Sequence, residues 1–396
     1  MDNPYSKHAV SFSAELQLLL SILGIANAPD LPRQILSRYT NLDWRLFFDL
    51  AGHHRVRPLV YSLLSKQKED LAPQEIIGKL KGEYVKNTFD MLRLTNELER
   101  IHQMLELNGI RSMILKGPVL AASIYGDVSL RTSKDLDIWV PFRDLEKVED
   151  LLLKENYQVA QEMRLLYGRK WRDHHISYFN KEKRIEIELH WRLSSDWGNE
   201  PGFDELWERR AASSLTSTPL YHPQMEDLFQ YLVCHGARHG WFRLRWLSDI
   251  EQLLRKQLDW EKIVHNCNKY EQSKLVGQSL ILCNRLFHTP IPSELCTLMS
   301  KRANQLANDA ISFIQDKVNF AAENHTPSQI RRHQKYLSAI QSSRQKWIFW
   351  LSRLHPTSWD AATLPLPRSL HFLYFLLRPF LIVWRKRKRH VQAEEL

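Results

Sequence analysis

Asp135 and Asp137 are the residues of this chain best placed to do chemistry, in the run Lys134-Asp135-Leu136-Asp137-Ile138-Trp139-Val140. In an extended strand, residues i and i+2 project to the same face, so the two carboxylates stand side by side while Leu136 and Ile138 turn inward. Carboxylates that close repel, and one titrates high unless a cation sits between them. A divalent metal is the simplest such cation. Oxygen-only ligands select Mg²⁺, with Mn²⁺ as the second choice, and Mg²⁺ leaves its remaining positions to substrate phosphates. An isolated D-x-D is also what a solvated acidic strand end looks like. Three neighbours weigh against that bland reading. Leu115-Lys116-Gly117 places a lysine and a glycine turn just ahead of a helix start, where backbone N–H groups can face phosphate. Arg131 and Lys134 supply cations, and Glu186 and Glu188 lie on one face of a later strand, either able to give a third carboxylate.

The elements that must hold these groups follow from periodicity. Residues 11 to 107 read mostly as helix, with apolar stripes such as Leu16, Leu19, Leu20, Leu23 and Leu94, Leu98, Ile101, Met104, Leu105. Asn108-Gly109 stops the last of these, and Ile110 to Leu115 is a run of strand length. Pro118 suits the first turn of a helix reaching Tyr125, because its missing N–H costs nothing there. Leu136 to Val140 reads as a strand, Phe142 to Glu155 as a helix, and His175 to Phe179 and Arg184 to Trp191 as two further strands. In the last, Ile185, Ile187 and Leu189 alternate with Glu186, Glu188 and His190. Helical periodicity returns from Met225 to Phe313 and from Ile330 to Leu354. The expected class is therefore α+β, a small mixed β-sheet embedded in a predominantly helical protein. Four regions are expected: helical 1–107, an α/β core 108–200, a helical 201–324 lining a cleft, and a basic helical 325–396.

Composition excludes several classes. Only 13 of 396 residues are glycine, and neither G-x-G-x-x-G nor G-x-x-x-x-G-K-[ST] occurs, so Rossmann and P-loop sites are not expected. The formal net charge of +10 sits entirely in the segment from His325 onward, which carries 13 basic and three acidic residues. The rest sums to zero and offers no field for grasping nucleic acid, which is not an expected partner. Cys234, Cys267, Cys283 and Cys296 show no C-x-x-C spacing and no secretory signal precedes them, so a reducing cytoplasmic setting is the simplest expectation. His235 and His239 are four apart, as helical metal pairs are, but lack the glutamate of H-E-x-x-H. Asp249 with Arg243 and Arg245 reads as a buried polar tie, or as a group reaching the cleft.

Taken together, these motifs resemble the nucleotidyltransferases of the DNA polymerase β superfamily, in particular an uncharacterised bacterial nucleotidyltransferase family. The resemblance rests on Leu115-Lys116-Gly117, Tyr125-Gly126-Asp127, Arg131 with Asp135-Leu136-Asp137, Glu188-Leu189-His190-Trp191 and Leu244-Arg245-Trp246-Leu247-Ser248-Asp249. The segment His54-Arg55-Val56-Arg57-Pro58-Leu59 also fits, and the likeness spans roughly residues 15 to 290. It implies that Asp135 and Asp137 bridge two Mg²⁺ ions, that Glu188, with Glu186 second, is the third acid, and that an NTP is attacked at its α-phosphate by an acceptor hydroxyl. His190 and Asp249 are then candidate substrate contacts. The superfamily's usual Gly-Gly or Gly-Ser turn is here Lys116-Gly117-Pro118, so phosphate contacts fall to Lys116, Arg131 or Ser133 around Gly117. The acceptor is open: a small molecule, sugar, peptide or protein. The rival reading is a catalytically weak or inactive accessory protein on the same fold, serving a biosynthetic or membrane-associated assembly.

Leu370 to Trp384 is nearly all apolar but shorter than a span of about 20 residues, and Arg385-Lys386-Arg387-Lys388-Arg389 follows it. That is the pattern of an interfacial segment at an anionic membrane, or of a terminal helix packed on the core with a solvated basic end. Peripheral attachment through residues 370–389 is accordingly one expectation for the tail.

Overall fold

The computed structural model describes residues 12–68, 70–159, 173–194, 199–318, 326–352, 363–367 and 370–394, with positions 356 and 360. The polar start Met1–Lys7 and the last residues of the helix expected to reach Leu354 lie outside these. Helices α1 (Ala14–Leu23), α2 (Leu31–Arg38), α3 (Trp44–His53) and α4 (Arg57–Ser65) lead into the 34-residue α5 (Gln74–Leu107). Local signals set their ends: Ser13 and Asp43 accept from the backbone N–H of Leu16 and Leu46, and Pro58 sits in the first turn of α4. The stripe from Leu94 to Leu105 thus covers only the second half of α5. The N-terminal half carries less of the core and reads more weakly.

The sheet follows, with β1 (Met113–Ile114), α6 (Pro118–Tyr125), β2 (Asp135–Trp139), α7 (Leu145–Lys154), β3 (Gln158–Val159), β4 (His175–Asn180) and β5 (Ile185–His190). Its strand order is β1-β2-β5-β4-β3, with β2 parallel to β5 and the other pairs antiparallel. The strand expected over Ile110–Leu115 is only two residues long, because β1 pairs with β2 along an edge and bends away at Gly117. Three short elements were not legible: β3, and the hairpin β6 (Ala211–Ser213) and β7 (Leu220–His222). At two or three residues they carry no period of their own.

Helices α8 (Phe203–Glu208), α9 (Met225–Arg238), α10 (Leu244–Leu254), α11 (Trp260–Lys269), α12 (Ser273–Phe287), α13 (Lys301–Gln315), α14 (Pro327–Ile340), α15 (Ser343–Ser352) and α16 (Leu373–Glu394) complete the described chain. Two apolar cores result. One joins the second half of α5 to one face of the sheet through Leu94, Leu98, Ile101, Leu136, Ile138, Ile187 and Leu189. The other runs through α1–α4 and α9–α13 and takes in Leu120, Ile124 and Trp139. The sheet's other face, which carries Asp137, Glu188 and His190, opens toward α9 and α10.

Candidate active site

The register of β2 on β5 sets Asp135 beside Glu186 and Asp137 beside Glu188, with His190 next along β5. Period-two alternation puts all five on the face away from Leu136, Ile187 and Leu189. Asp137 is fully buried, and its Oδ1 meets Lys116 Nζ at 2.8 Å and His190 Nε2 at 3.2 Å. Its Oδ2 is buried with no hydrogen-bond partner. Glu188 Oε2 lies 3.4 Å from His190 Nε2, and Glu188 Oε1 lies 3.9 Å from His175 Nε2.

These contacts decide the charges. Burial works against Asp137, yet Lys116 and His190 hold its carboxyl well below the usual range. Burial and the neighbouring Asp137 push Asp135 up, and burial with Asp135 and Glu188 pushes Glu186 up. Against its own burial, His190 is raised by Asp137 and Glu188. The expected conflict between paired carboxylates is therefore real, and it falls on Asp135.

Lys116 reaches this site because Gly117 turns the chain with φ +75°, in the left-handed region where a side chain is strained, and α6 starts at once with Pro118. Ser133 Oγ donates to the carbonyl oxygen of Asp135 at 3.2 Å. The loop between α6 and β2 is pinned by Asn87 of α5, whose Nδ2 donates to the carbonyl oxygen of Ser129 at 2.7 Å.

Arg131 lines the same site and is also tied into the fold. Its Nε and Nη2 clamp the carboxylate of Asp249 at 2.9 to 3.1 Å, with both side chains almost wholly buried, and Tyr125 donates to Asp249 Oδ1 at 2.9 Å. Asp249 thus forms the expected buried tie, but with Arg131 and Tyr125 rather than with Arg243 and Arg245. The fork geometry of a guanidinium on a carboxylate favours this bidentate pairing once α10 packs against α6. The guanidinium expected to serve nucleotide is committed to Asp249 through two of its three nitrogens.

Arg55, Arg243 and Arg245, from the bend before α4 and the start of α10, join Lys116 in lining a cleft of about 1160 Å³ open to solvent. The bend is fixed by the backbone: Arg55 has φ +58°, and Arg245 N–H donates to the carbonyl oxygen of His54 at 3.2 Å. Burial and mutual repulsion lower Arg55 and Arg243 to about 10 and Arg245 to about 9. Crowded cations of that kind gain from a polyanion among them. The same cleft is lined by His174, His175, Tyr231, His235, Arg238, His239 and Trp246, and by Asp135, Asp137 and Glu188, whereas Glu186 is not part of its lining. The His235 and His239 rings pack 4.7 Å apart, and His239 stacks on Trp246 at 4.9 Å. Burial keeps both imidazoles well below their ordinary range, so neither adds positive charge at neutral pH.

A family model described as uncharacterised nucleotidyltransferase matches residues 40–288, a stretch that contains every cleft residue named above. The chain belongs to this family. No curated protein and no solved structure matches it. Membership in the nucleotidyltransferase family gives the chain a general nucleotidyl-transfer role with an NTP substrate, on an α+β fold. The cleft brings together most of the residues singled out in the sequence: Lys116, Gly117, Arg131, Ser133, Asp135, Asp137, Glu188 and His190. It also holds a group that the sequence did not flag for this cleft, His174, His175, Tyr231 and Arg238. Their only local signal is chemical type, since nothing in spacing links the start of β4 to the end of α9.

The donor set also fits the divalent cations that nucleotidyltransferases generally use. Asp137, Glu188 and His190 offer ligand atoms within 4.8 Å of one another, and the unpartnered Asp137 Oδ2 is the kind of buried atom a cation satisfies.

Proposed function

We propose that the protein is an enzyme that moves a nucleoside monophosphate from an NTP to a hydroxyl acceptor and releases pyrophosphate, with Asp135, Asp137 and Glu188 as its metal-holding acids. The reading is supported above all by the register of β2 on β5, which aligns Asp137 with Glu188 on the floor of an arginine-lined cleft. Glu188 is preferred to Glu186 as third acid because it stands beside Asp137 and lines the cleft. When bound, Mg²⁺ neutralises phosphate charge and lowers the pKa of an acceptor hydroxyl. The chain's own residues do the rest. Arg55, Arg243 and Arg245 attract and orient the triphosphate, a task for which the guanidinium fork is suited. Lys116, held by Asp137, and Ser133 face the phosphates on the other side. As the acceptor oxygen bonds to the α-phosphorus and the α–β bridging bond breaks, Glu188 takes the hydroxyl proton and pyrophosphate carries away the bond's electron pair.

Two observations favour the alternative, a nucleotidyltransferase fold kept as an accessory scaffold. Lys116 sits 2.8 Å from Asp137 as an internal counter-ion, and Pro118 removes a donor from the turn. Calorimetry with each NTP and Mg²⁺ separates the two. Micromolar binding to the parent chain, lost in Asp135→Asn and Asp137→Asn while circular dichroism is unchanged, is the expected result. Absence of binding for all four nucleotides would establish the scaffold.

We place the reaction in the cytoplasm, with peripheral attachment to an anionic membrane through residues 370–389. No helix among the described residues is long and apolar enough to cross a bilayer. The supporting feature is α16, where Tyr374, Arg378 and Leu381 are buried while Phe375, Leu376, Phe380, Val383 and Trp384 stand exposed ahead of the basic run.

A further inference from the structure

Three imidazoles meet at one corner of the cleft. His174 precedes β4, His175 opens it, and His190 ends β5 in register with His175. His175 Nδ1 lies 3.1 Å from His174 Nε2, and one ring nitrogen of each of the three falls within 4.8 Å of the others. His190 is shared with a second donor set, Asp137, Glu188 and His190, of the same compactness. His190 is 2% exposed, and its Nδ1 is buried without a hydrogen-bond partner. An oxygen-ligated Mg²⁺ has no use for three imidazoles, whereas Zn²⁺ and its first-row neighbours prefer them and accept tetrahedral sets of three histidines with one open position. Nitrogen ligands about 2.0–2.1 Å from a tetrahedral ion stand about 3.3 Å apart, so small rotations of these rings suffice. Arg238 Nη1 lies 3.5 Å from the same His174 nitrogen and is the group that must give way.

We propose that His174, His175 and His190 form a binding site for a nitrogen-preferring divalent metal of the Zn²⁺ class, beside the carboxylate site and sharing His190 with it. The inference deepens the nucleotidyl-transfer reading by giving its cleft a second cation with an open position for an oxygen of acceptor or phosphate. It does not depend on turnover. The full-length chain, dialysed free of metal, is titrated with Zn²⁺ alone by calorimetry and with Co²⁺ alone by visible absorption. The expected result is one equivalent bound at least tenfold more tightly than Mg²⁺, with a Co²⁺ d–d band at tetrahedral intensity. His174→Asn and His175→Asn, both at partly exposed positions, should weaken Zn²⁺ at least tenfold with thermal melts unchanged. Zn²⁺ binding no tighter than Mg²⁺, or binding that both variants leave intact, overturns the site. Asp135→Asn separates the two ideas, because Asp135 belongs to neither histidine set. Loss of Mg²⁺–NTP binding in that variant with Zn²⁺ binding retained supports both. A parent chain that binds Mg²⁺–NTP but not Zn²⁺ overturns only the histidine site, and one that binds Zn²⁺ but no NTP overturns only the transfer reading.

Discussion

At the scale of single residues, burial converts ordinary acids and bases into committed ones. Asp249 and Arg131 are almost entirely buried, and each is the other's answer to desolvation. Removing one leaves an uncompensated charge, so Asp249→Ala should cost about 3–5 kcal/mol of stability, read by urea denaturation. A loss under 1 kcal/mol would mean that Arg131 finds another partner. Glu200 lines a second pocket that shares Tyr231, His235 and Arg238 with the cleft. Burial pushes its carboxyl up to about 7, despite Arg192 and an N–H from Leu193. An unfolded glutamate titrates near 4.5, so the native state binds this proton more tightly. The contribution to stability is full below that value and is lost as pH rises through about 7. Glu200→Gln keeps the neutral form, and should therefore gain about 1–3 kcal/mol over the parent at pH 8 and nothing at pH 4. Parallel stability–pH curves for the two proteins would sink the idea.

Among the elements, α16 carries a surface that conflicts with water. Its exposed positions 375, 376, 380, 383 and 384 recur at helical spacing, so they form one apolar stripe rather than scattered residues. The opposite side is anchored by Tyr374, whose hydroxyl donates to the carbonyl oxygen of Leu364 at 2.7 Å, and by the ion pair of Arg378 with Asp360. Each basic residue near an anionic surface adds about 1 kcal/mol. The full-length protein should co-sediment with phosphatidylglycerol vesicles at low salt and not with phosphatidylcholine vesicles. Phe380→Ser with Trp384→Ser should cut that binding at least tenfold. Binding to neither lipid would leave the stripe as a protein-docking face.

For the molecule as a whole, the sheet is not a free-standing unit. Leu120, Ile124 and Trp139 of the segment 108–200 are buried in the core built by α1–α4 and α9–α13, and Arg55, Arg243 and Arg245 reach the cleft from outside that segment. The four-part division of the chain remains a proposal about folding units. A fragment of residues 108–200 should show no cooperative thermal transition and should bind a hydrophobic dye, because those side chains lose their partners. A sharp melt would make it an autonomous domain. The cleft arises only when the N-terminal bend, the sheet and α9–α10 are packed together.

Local periodicity fixed much of this in advance. Alternation over Arg184–Trp191 and the D-x-D of Asp135 and Asp137 were enough to put the acids on strand faces, since the side-chain direction of a strand depends only on its own backbone. Pro118 and the stop at Asn108-Gly109 marked helix ends for the same reason. Which strands became neighbours, and hence that Asp137 would meet Glu188, depended on packing between distant segments. So did the pairing of Arg131 with Asp249 across 118 residues, and the gathering of His174, His175 and His190 at one corner. Long-range partners are chosen by desolvation and by the shape of the assembled core, neither of which is encoded in the spacing of any one segment.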